Sequence, residues 1–370
     1  MAVIALRPSV RSDRGRSPAQ PNSPYNPLAG RIVTTRRWKQ RVLSLALAAV
    51  LAGAVPAAAG HEDGKVIILA QPTARGDALW MALTKDFFKE ERLDVTVRWS
   101  SGGNEILRAF QGGEEGKRGF GDFVTVSELL AVNFRQNMDK TFACVGVIAR
   151  DADAYVAIAR AEIKTPQDLK GKTIATRLGS TSAWFLGEYL RAHGMSERDV
   201  RLRDVQLSAV TTWDLDRGDI DVFLTTEPYG AQALRTYGSR VIRLGTAKGY
   251  MHGYLLLGTW KWYLRDHPGV AERLLRALEK GRRHAAQQKA EVIQFARGMF
   301  NVEDITPVDA DYHSTERVVG LDSVTLDDFQ RLGRWMKEAG LLKEQLDPRA
   351  FFDPQPLRAG LPERVAPEFK

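Results

Sequence analysis

The sequence predicts an α/β protein of two similar units, each a mostly parallel sheet flanked by helices, with a helical C-terminal tail. Three observations predict it. Short apolar runs alternate with helical periodicity in the order β-α-β-α-β from Lys65 to Val124. The same alternation begins again after Thr141, and apolar crossovers near residues 148–155 and 250–257 separate the two series. The length that remains once the N-terminal segment is set aside, near 310 of the 370 residues, fits two domains of ordinary size.

The elements follow in order. Lys65–Ala70 is a continuously apolar run, the pattern of a parallel strand buried on both faces. Leu79, Leu83 and Phe87 have helical spacing, which predicts one helix over Ala78–Glu91. Leu93, Val95, Val97 and Trp99 alternate with polar residues and read as a strand. Ser100–Asn104 is a loop, a short helix covers Glu105–Gln111, and Phe120–Val124 is a strand.

In the second series Thr141–Ile148 and Ala154–Arg160 are strands. Thr165-Pro166-Gln167-Asp168 is a helix start: Thr caps, Pro suits the first helical position and Asp suits the positive helix end. Strands at Lys172–Thr176, Val200–Gln206, Ile220–Leu224, Val241–Leu244 and Tyr254–Gly258 alternate with helices at Ser182–His193 and Thr211–Arg217. Pro268 opens a long helix toward Met299, and Thr325-Leu326-Asp327-Asp328 has the form of a capping box for a helix ending near Gly340.

Charge and composition exclude several functions. The chain carries 53 Lys+Arg against 45 Asp+Glu, a net +8. Up to Ala59 there are nine basic residues and one acid, Asp13, which is the whole surplus; the remainder holds 44 of each. A neutral body argues against binding nucleic acid through its backbone. One cysteine, Cys144, allows neither an internal disulfide nor a Cys-based zinc cluster, and the six His show no metal-ligating spacing, so no cofactor or metal is expected. A phosphate-binding Gly-x-x-x-x-Gly-Lys-Ser/Thr loop is also missing, so the chain is not an ATPase of that class.

The N-terminal segment reads as an export signal. Arg36-Arg37-Trp38-Lys39-Gln40-Arg41 precedes an uncharged stretch from Val42 to Val55, and small residues stand at Ala57 and Ala59. That stretch is shorter than the ~20 residues needed to span a bilayer. Residues 1–59 are therefore expected to be a disordered extension and a secretory signal cleaved after Ala59, which places the working protein in the periplasm.

Three segments carry a resemblance. They are Thr165-Pro166-Gln167-Asp168-Leu169-Lys170-Gly171-Lys172-Thr173-Ile174-Ala175, then Gly179-Ser180-Thr181-Ser182, then Asp216-Arg217-Gly218-Asp219-Ile220-Asp221-Val222-Phe223 running into Thr225-Thr226-Glu227-Pro228-Tyr229. In this order and spacing the chain resembles the periplasmic substrate-binding proteins of ABC importers, in the branch of nitrate, sulfonate and taurine binders and thiamine-pyrimidine-precursor binders. The resemblance implies a type II periplasmic-binding fold whose two lobes close by a hinge on a small polar or anionic solute. Lobe 1 would be 64–155 plus 251–370, and lobe 2 would be 156–250. It also implies a monomer that delivers its solute to a transmembrane permease driven by a separate ATPase.

Ligands of open α/β sheets bind outside the carboxyl ends of the strands, where helix N-termini offer free N–H groups. That rule selects the candidate site. Ser180, Thr181 and Ser182 follow a strand and open a helix, so their hydroxyls either hold a solute or cap the helix. Gly102, Gly103 and Asn104 form the matching loop of lobe 1, or a simple turn. Gln71 and Thr73 follow the first strand, and Thr125 follows the third. Trp213 and Tyr229 offer an aromatic wall or belong to the core. Glu227 is either a helix-start acid or a cleft residue suited to an amine-bearing solute. Two alternatives to transport remain at this stage: a sensory receptor for a membrane kinase, and an enzyme on the same fold resembling a pyrimidine-precursor synthase.

Overall fold

The computed structural model describes residues 64–71, 73–99, 103–111, 121–151, 153–205, 218–227, 229–300, 312–313 and 315–369. The export signal, Gly102, Trp213 and the helix expected at Thr211–Arg217 lie outside these residues. In chain order the strands are β1 (Lys65–Ala70), β2 (Asp94–Trp99), β3 (Phe123–Ser127), β4 (Phe142–Asp151), β5 (Tyr155–Arg160), β6 (Thr173–Thr176), β7 (Arg201–Asp204), β8 (Val222–Thr226), β9 (Val241–Thr246), β10 (Gly253–Trp260) and β11 (Thr315–Glu316). The helices are α1 (Asp77–Thr84), α2 (Phe87–Glu90), α3 (Gly103–Gln111), α4 (Glu128–Asn133), α5 (Thr181–Ala192), α6 (Tyr229–Tyr237), α7 (Lys261–Asp266), α8 (Val270–Gln287), α9 (Lys289–Phe300), α10 (Ser323–Glu338), α11 (Pro348–Phe351) and α12 (Gln355–Gly360).

The strands form two sheets. The first has the order β11-β4-β10-β3-β1-β2 and the second β7-β6-β8-β5-β9. Each contains a parallel run of three, β2-β1-β3 and β7-β6-β8. Next to each run lies an antiparallel strand, β10 against β3 and β5 against β8. The expected parallel character is therefore confined to three strands per sheet, because the chain enters each sheet from the other one. β4 of the first sheet leads into β5 of the second, and β9 of the second leads into β10 of the first. All residues of β4 and β10 are buried, which explains their largely apolar sequence up to the Arg150-Asp151 end of β4.

Several helices differ from expectation. The single helix expected over Ala78–Glu91 is broken at Asp86, which adopts the left-handed conformation at φ 61°. Aspartate tolerates that region, and the Thr84 hydroxyl turns back to the Trp80 carbonyl at 2.9 Å, so the helix ends there. The long C-terminal helix divides into α8 and α9 at Gln288, and α8 begins after Gly269, whose φ is 80°. α10 starts one turn before the expected box: its cap is Asp322, whose carboxylate accepts the Thr325 N–H at 2.8 Å. The start at Thr165–Asp168 is as expected, with the Asp168 carboxylate accepting the Thr165 N–H at 2.8 Å.

Packing fixes the first sheet unit at its helices. A methyl carbon on Gly281 of α8 would lie 2.1 Å from the Ala78 carbonyl of α1, so the two helix backbones nearly touch. Phe110 of α3 stacks on Trp260 of β10 with centroids 4.5 Å apart. α10 reaches across to the second unit: its Arg331 donates to the Tyr250 carbonyl at 2.9 Å, and its Glu338 pairs with Arg191 of α5 at 2.9 Å.

Candidate functional site

Strand direction determines which ends meet. β4 runs parallel to β1 and β3, so Asp151 ends at the same edge of the first sheet as their carboxyl ends. Gly253 pairs with Asp151 and opens β10 at that edge. In the second sheet Tyr155 pairs with Thr226, and Val156 with Thr246, so β5 begins where β8 and β9 end. Asp151 and Tyr155 are four positions apart, as are few residues of a chain that must change sheets. The two sheets therefore present their carboxyl ends to each other across a cleft.

The cleft is closed by side chains. The Thr181 hydroxyl, at the start of α5 in the second unit, donates to the Glu128 carboxylate at the start of α4 in the first. The other Glu128 oxygen accepts the Tyr254 N–H at 2.9 Å. Tyr155, buried at the start of β5, stands near enough to Thr181 and Glu128 for both to act on its phenol. Arg75 faces Asp151 as an ion pair at 3.0 Å, and Arg317 faces Asp77 at 2.7 Å.

Burial governs the electrostatics here. It raises the Glu128 carboxyl above its ordinary value, while the Thr181 hydroxyl, Arg75 and the Tyr254 N–H act in the opposite direction. Burial likewise pushes Asp151 up to about 6 against the pull of Arg75, with the Glu128 charge adding to the rise. Asp77 is also pushed up to about 6 by burial, opposed by Arg317. The Tyr155 phenol is pushed up to about 12 by burial. Four hydroxyls, those of Thr125 within β3, Thr176 and Thr225 at the ends of β6 and β8, and Ser182 in the first turn of α5, are buried and have no protein partner. Buried polar groups are rarely left so, and a solute with matching donors and acceptors is what would satisfy them.

The sequence-selected residues divide into groups. Thr181 makes the closing contact, while Ser182 beside it in α5 and Thr125 within β3 are buried with hydroxyls that have no protein partner. Ser180 caps α5 only through its backbone position, since its hydroxyl donates to the Arg177 carbonyl at 2.6 Å. Gln71 and Thr73 are half-buried beyond the end of β1. Gly103 and Asn104 form the first turn of α3. Glu227 is buried with two protein partners: it accepts the Ala231 N–H at 2.9 Å and pairs with Arg243. Its place is that of the helix-start acid. Arg75, Glu128, Asp151 and Tyr155 stand about the closing contact and were not selected from the sequence. Glu128 had a usable signal, since Ser127-Glu128 follows a strand just as Ser180-Thr181 does. Arg150-Asp151, two charges ending an apolar strand, is another.

Among the described residues no helix is long and apolar enough to cross a membrane, and no group of three or more His, Cys, Asp or Glu is arranged to hold a metal ion. The family described as NMT1/THI5 like matches residues 77–292. The chain belongs to this family. The matched span runs from Asp77 of α1 into α9 and includes both sheet-to-sheet connections.

Solved structures share the family fold. The periplasmic aliphatic sulphonate binding protein SsuA from Escherichia coli is 18% identical, with a TM-score of 0.65 over 78% of this chain and 97% of that one. The alkanesulfonate-binding protein SsuA from Xanthomonas axonopodis pv. citri, bound to MOPS, is 16% identical, with a TM-score of 0.60 over 83% and 99%. The desulfurization enzyme DSZB is 16% identical, with a TM-score of 0.58 over 81% and 99%. Comparison with curated proteins finds no match. The fold is thus that of periplasmic binding proteins, and both binders and an enzyme use it.

Proposed function

We propose that this chain is a solute-binding receptor of an ABC importer. It works in the periplasm after loss of its leader, captures one small polar organic molecule between its two units, and passes it to a transmembrane permease with a separate ATPase. The observation that carries this reading is the cleft itself. Opposed carboxyl ends are bridged by the Thr181–Glu128 hydrogen bond, and four buried hydroxyls of β3, β6, β8 and α5 have no protein partner. Such a cleft suits capture by hinge closure about the two sheet-to-sheet connections. The SsuA proteins with this fold are binding proteins, which supports the same reading.

The DSZB likeness raises an enzymatic alternative. Thiol chemistry finds no support here: Cys144, the one cysteine, is buried within β4, and burial pushes its thiol up to about 12.

The test is a thermal-shift screen of polar solutes, followed by calorimetry and product analysis on any that bind. A receptor binds one molecule per chain, returns it unchanged, and gains about 2.7 kcal/mol when the free solute is at 100 times its Kd. A bound solute recovered chemically altered would refute the receptor reading, as would the failure of every solute in a broad screen.

A further inference from the structure

The charge balance at the closed cleft bears on the class of solute, an inference that rests on the receptor reading above. A sulfonate, carboxylate or nitrate needs a cation left free for it, or a surplus of donors. Arg75 already faces Asp151 at 3.0 Å, and its charge also acts on Glu128. Arg317 is likewise matched by Asp77 at 2.7 Å. Around Arg75 there is therefore one cation against two carboxylates.

Glu128 is the unmatched group. It is 0% exposed, and its oxygens accept one bond from Thr181 and one from the Tyr254 N–H. A carboxylate has about four lone-pair positions, so about two stay open to a further donor. Thr125 lies three residues before Glu128, in the middle of β3, and Ser182 follows Thr181 in the first turn of α5. Both are buried, at 2% and 0% exposure, and neither hydroxyl has a protein partner. Burial raises the Glu128 carboxyl because an isolated carboxylate is costly, and a cation joining it favours the charged form. A cationic donor meeting Glu128 removes that cost, whereas a bare anion adds repulsion in a medium that screens poorly.

We propose that the solute is an organic cation with N–H donors, an ammonium, amidinium or guanidinium, which docks against Glu128 with the Thr125 and Ser182 hydroxyls around it. This would set the chain apart from a sulfonate receptor with the same fold.

The experiment is isothermal calorimetry on the purified protein at pH 7.5 with putrescine, agmatine, butylamine, butanesulfonate, nitrate and a neutral sugar set. Saturable one-to-one binding of a cation, with the anions and sugars silent, is the expected result. Glu128→Gln keeps the shape, with its amide oxygen left to accept the Tyr254 N–H and its amide N–H turned to the Thr181 hydroxyl, which can accept, so it should fold. It should weaken the bound cation at least tenfold, and Thr125→Val should weaken it several-fold. Melting temperatures near the parent value would show that both variants are folded. Binding of butanesulfonate, nitrate or a sugar in preference to the cations would overturn the inference and leave the receptor standing. So would cation binding that Glu128→Gln leaves unchanged. Silence from every probe would remove both.

Discussion

Replacing Thr181 by Val tests whether the contact between the two units controls closure. The substitution keeps the side-chain shape and deletes only the donor to Glu128. A hydrogen bond to a charged group contributes about 1.5–3 kcal/mol, and here the deleted donor leaves a fully buried carboxylate oxygen with one bond fewer. If the bond exists only when the units are closed, the whole loss falls on the closed state. At 1.4 kcal/mol per factor of ten, the closed population relative to the open one falls about 10- to 150-fold. A solute that needs the closed form loses apparent affinity by the same factor. Calorimetry reads the affinity, and small-angle scattering of the unliganded protein reads the shift toward the open form. The melting temperature of the unliganded protein should barely move, since the open state never had the bond. Unchanged affinity, or a loss of unliganded stability as large as the loss of affinity, would refute the argument. The second outcome would mean that the bond is an ordinary structural one.

Three further perturbations follow. Asp77 and Asp151 are both pushed up to about 6 by burial from an ordinary 3.8, so between these values the folded chain binds more protons than the unfolded chain. Each group then makes stability fall as pH rises from about 4 to 6, by on the order of 3 kcal/mol, and adds no slope above that. Urea titrations at pH 4, 5, 6 and 7 should show a flatter fall for Asp151→Asn, and parallel curves for variant and parent would contradict this origin. Gly281→Ala would force a carbon to within 2.1 Å of the Ala78 carbonyl and 2.8 Å of the Ala82 nitrogen. It should cost about 1–3 kcal/mol through displacement of α8 from α1, and an unaltered melting temperature would show that the helices are not so close. Glu227→Gln should lower stability by about 1 kcal/mol, a value discounted because Arg243 is 40% exposed, and leave solute affinity as it was. A large affinity loss would instead return Glu227 to the cleft.

What the sequence discloses depends on how local the determining forces are. β1, β4 and β10 are legible because a strand buried along most of both faces reads as a nearly continuous apolar run. The turn at Thr165–Asp168 is legible because its partners lie within four residues. The break at Asp86 is not, since Leu79, Leu83 and Phe87 keep helical spacing across it and the decision lies with a single left-handed residue. Six-residue helices such as α4 escape because one turn and a half leaves too little periodicity to detect. The site divides in the same way. Thr181, the second-unit partner in the closing contact, was reachable from the rule that helix starts after a strand line the cleft. Arg75, Asp151 and Tyr155 were not, because only the antiparallel crossing strands bring residues 75, 128, 151, 155 and 181 to one place.

That crossing topology also explains why likeness in fold need not carry likeness in solute. The scaffold requires that β4 deliver its last residue to the cleft edge and that β10 begin there. It does not require those positions to be charged. In this chain the edge carries Asp151 opposite Arg75, so that arginine is already paired within the protein. A substitution of Asp151 by Asn would release Arg75 without altering a strand, and the same cleft would then hold one cation against one carboxylate. On the proposal of a cationic solute, one or two side chains at the sheet edge set the charge type that the cleft accepts, while the fold sets where it is met.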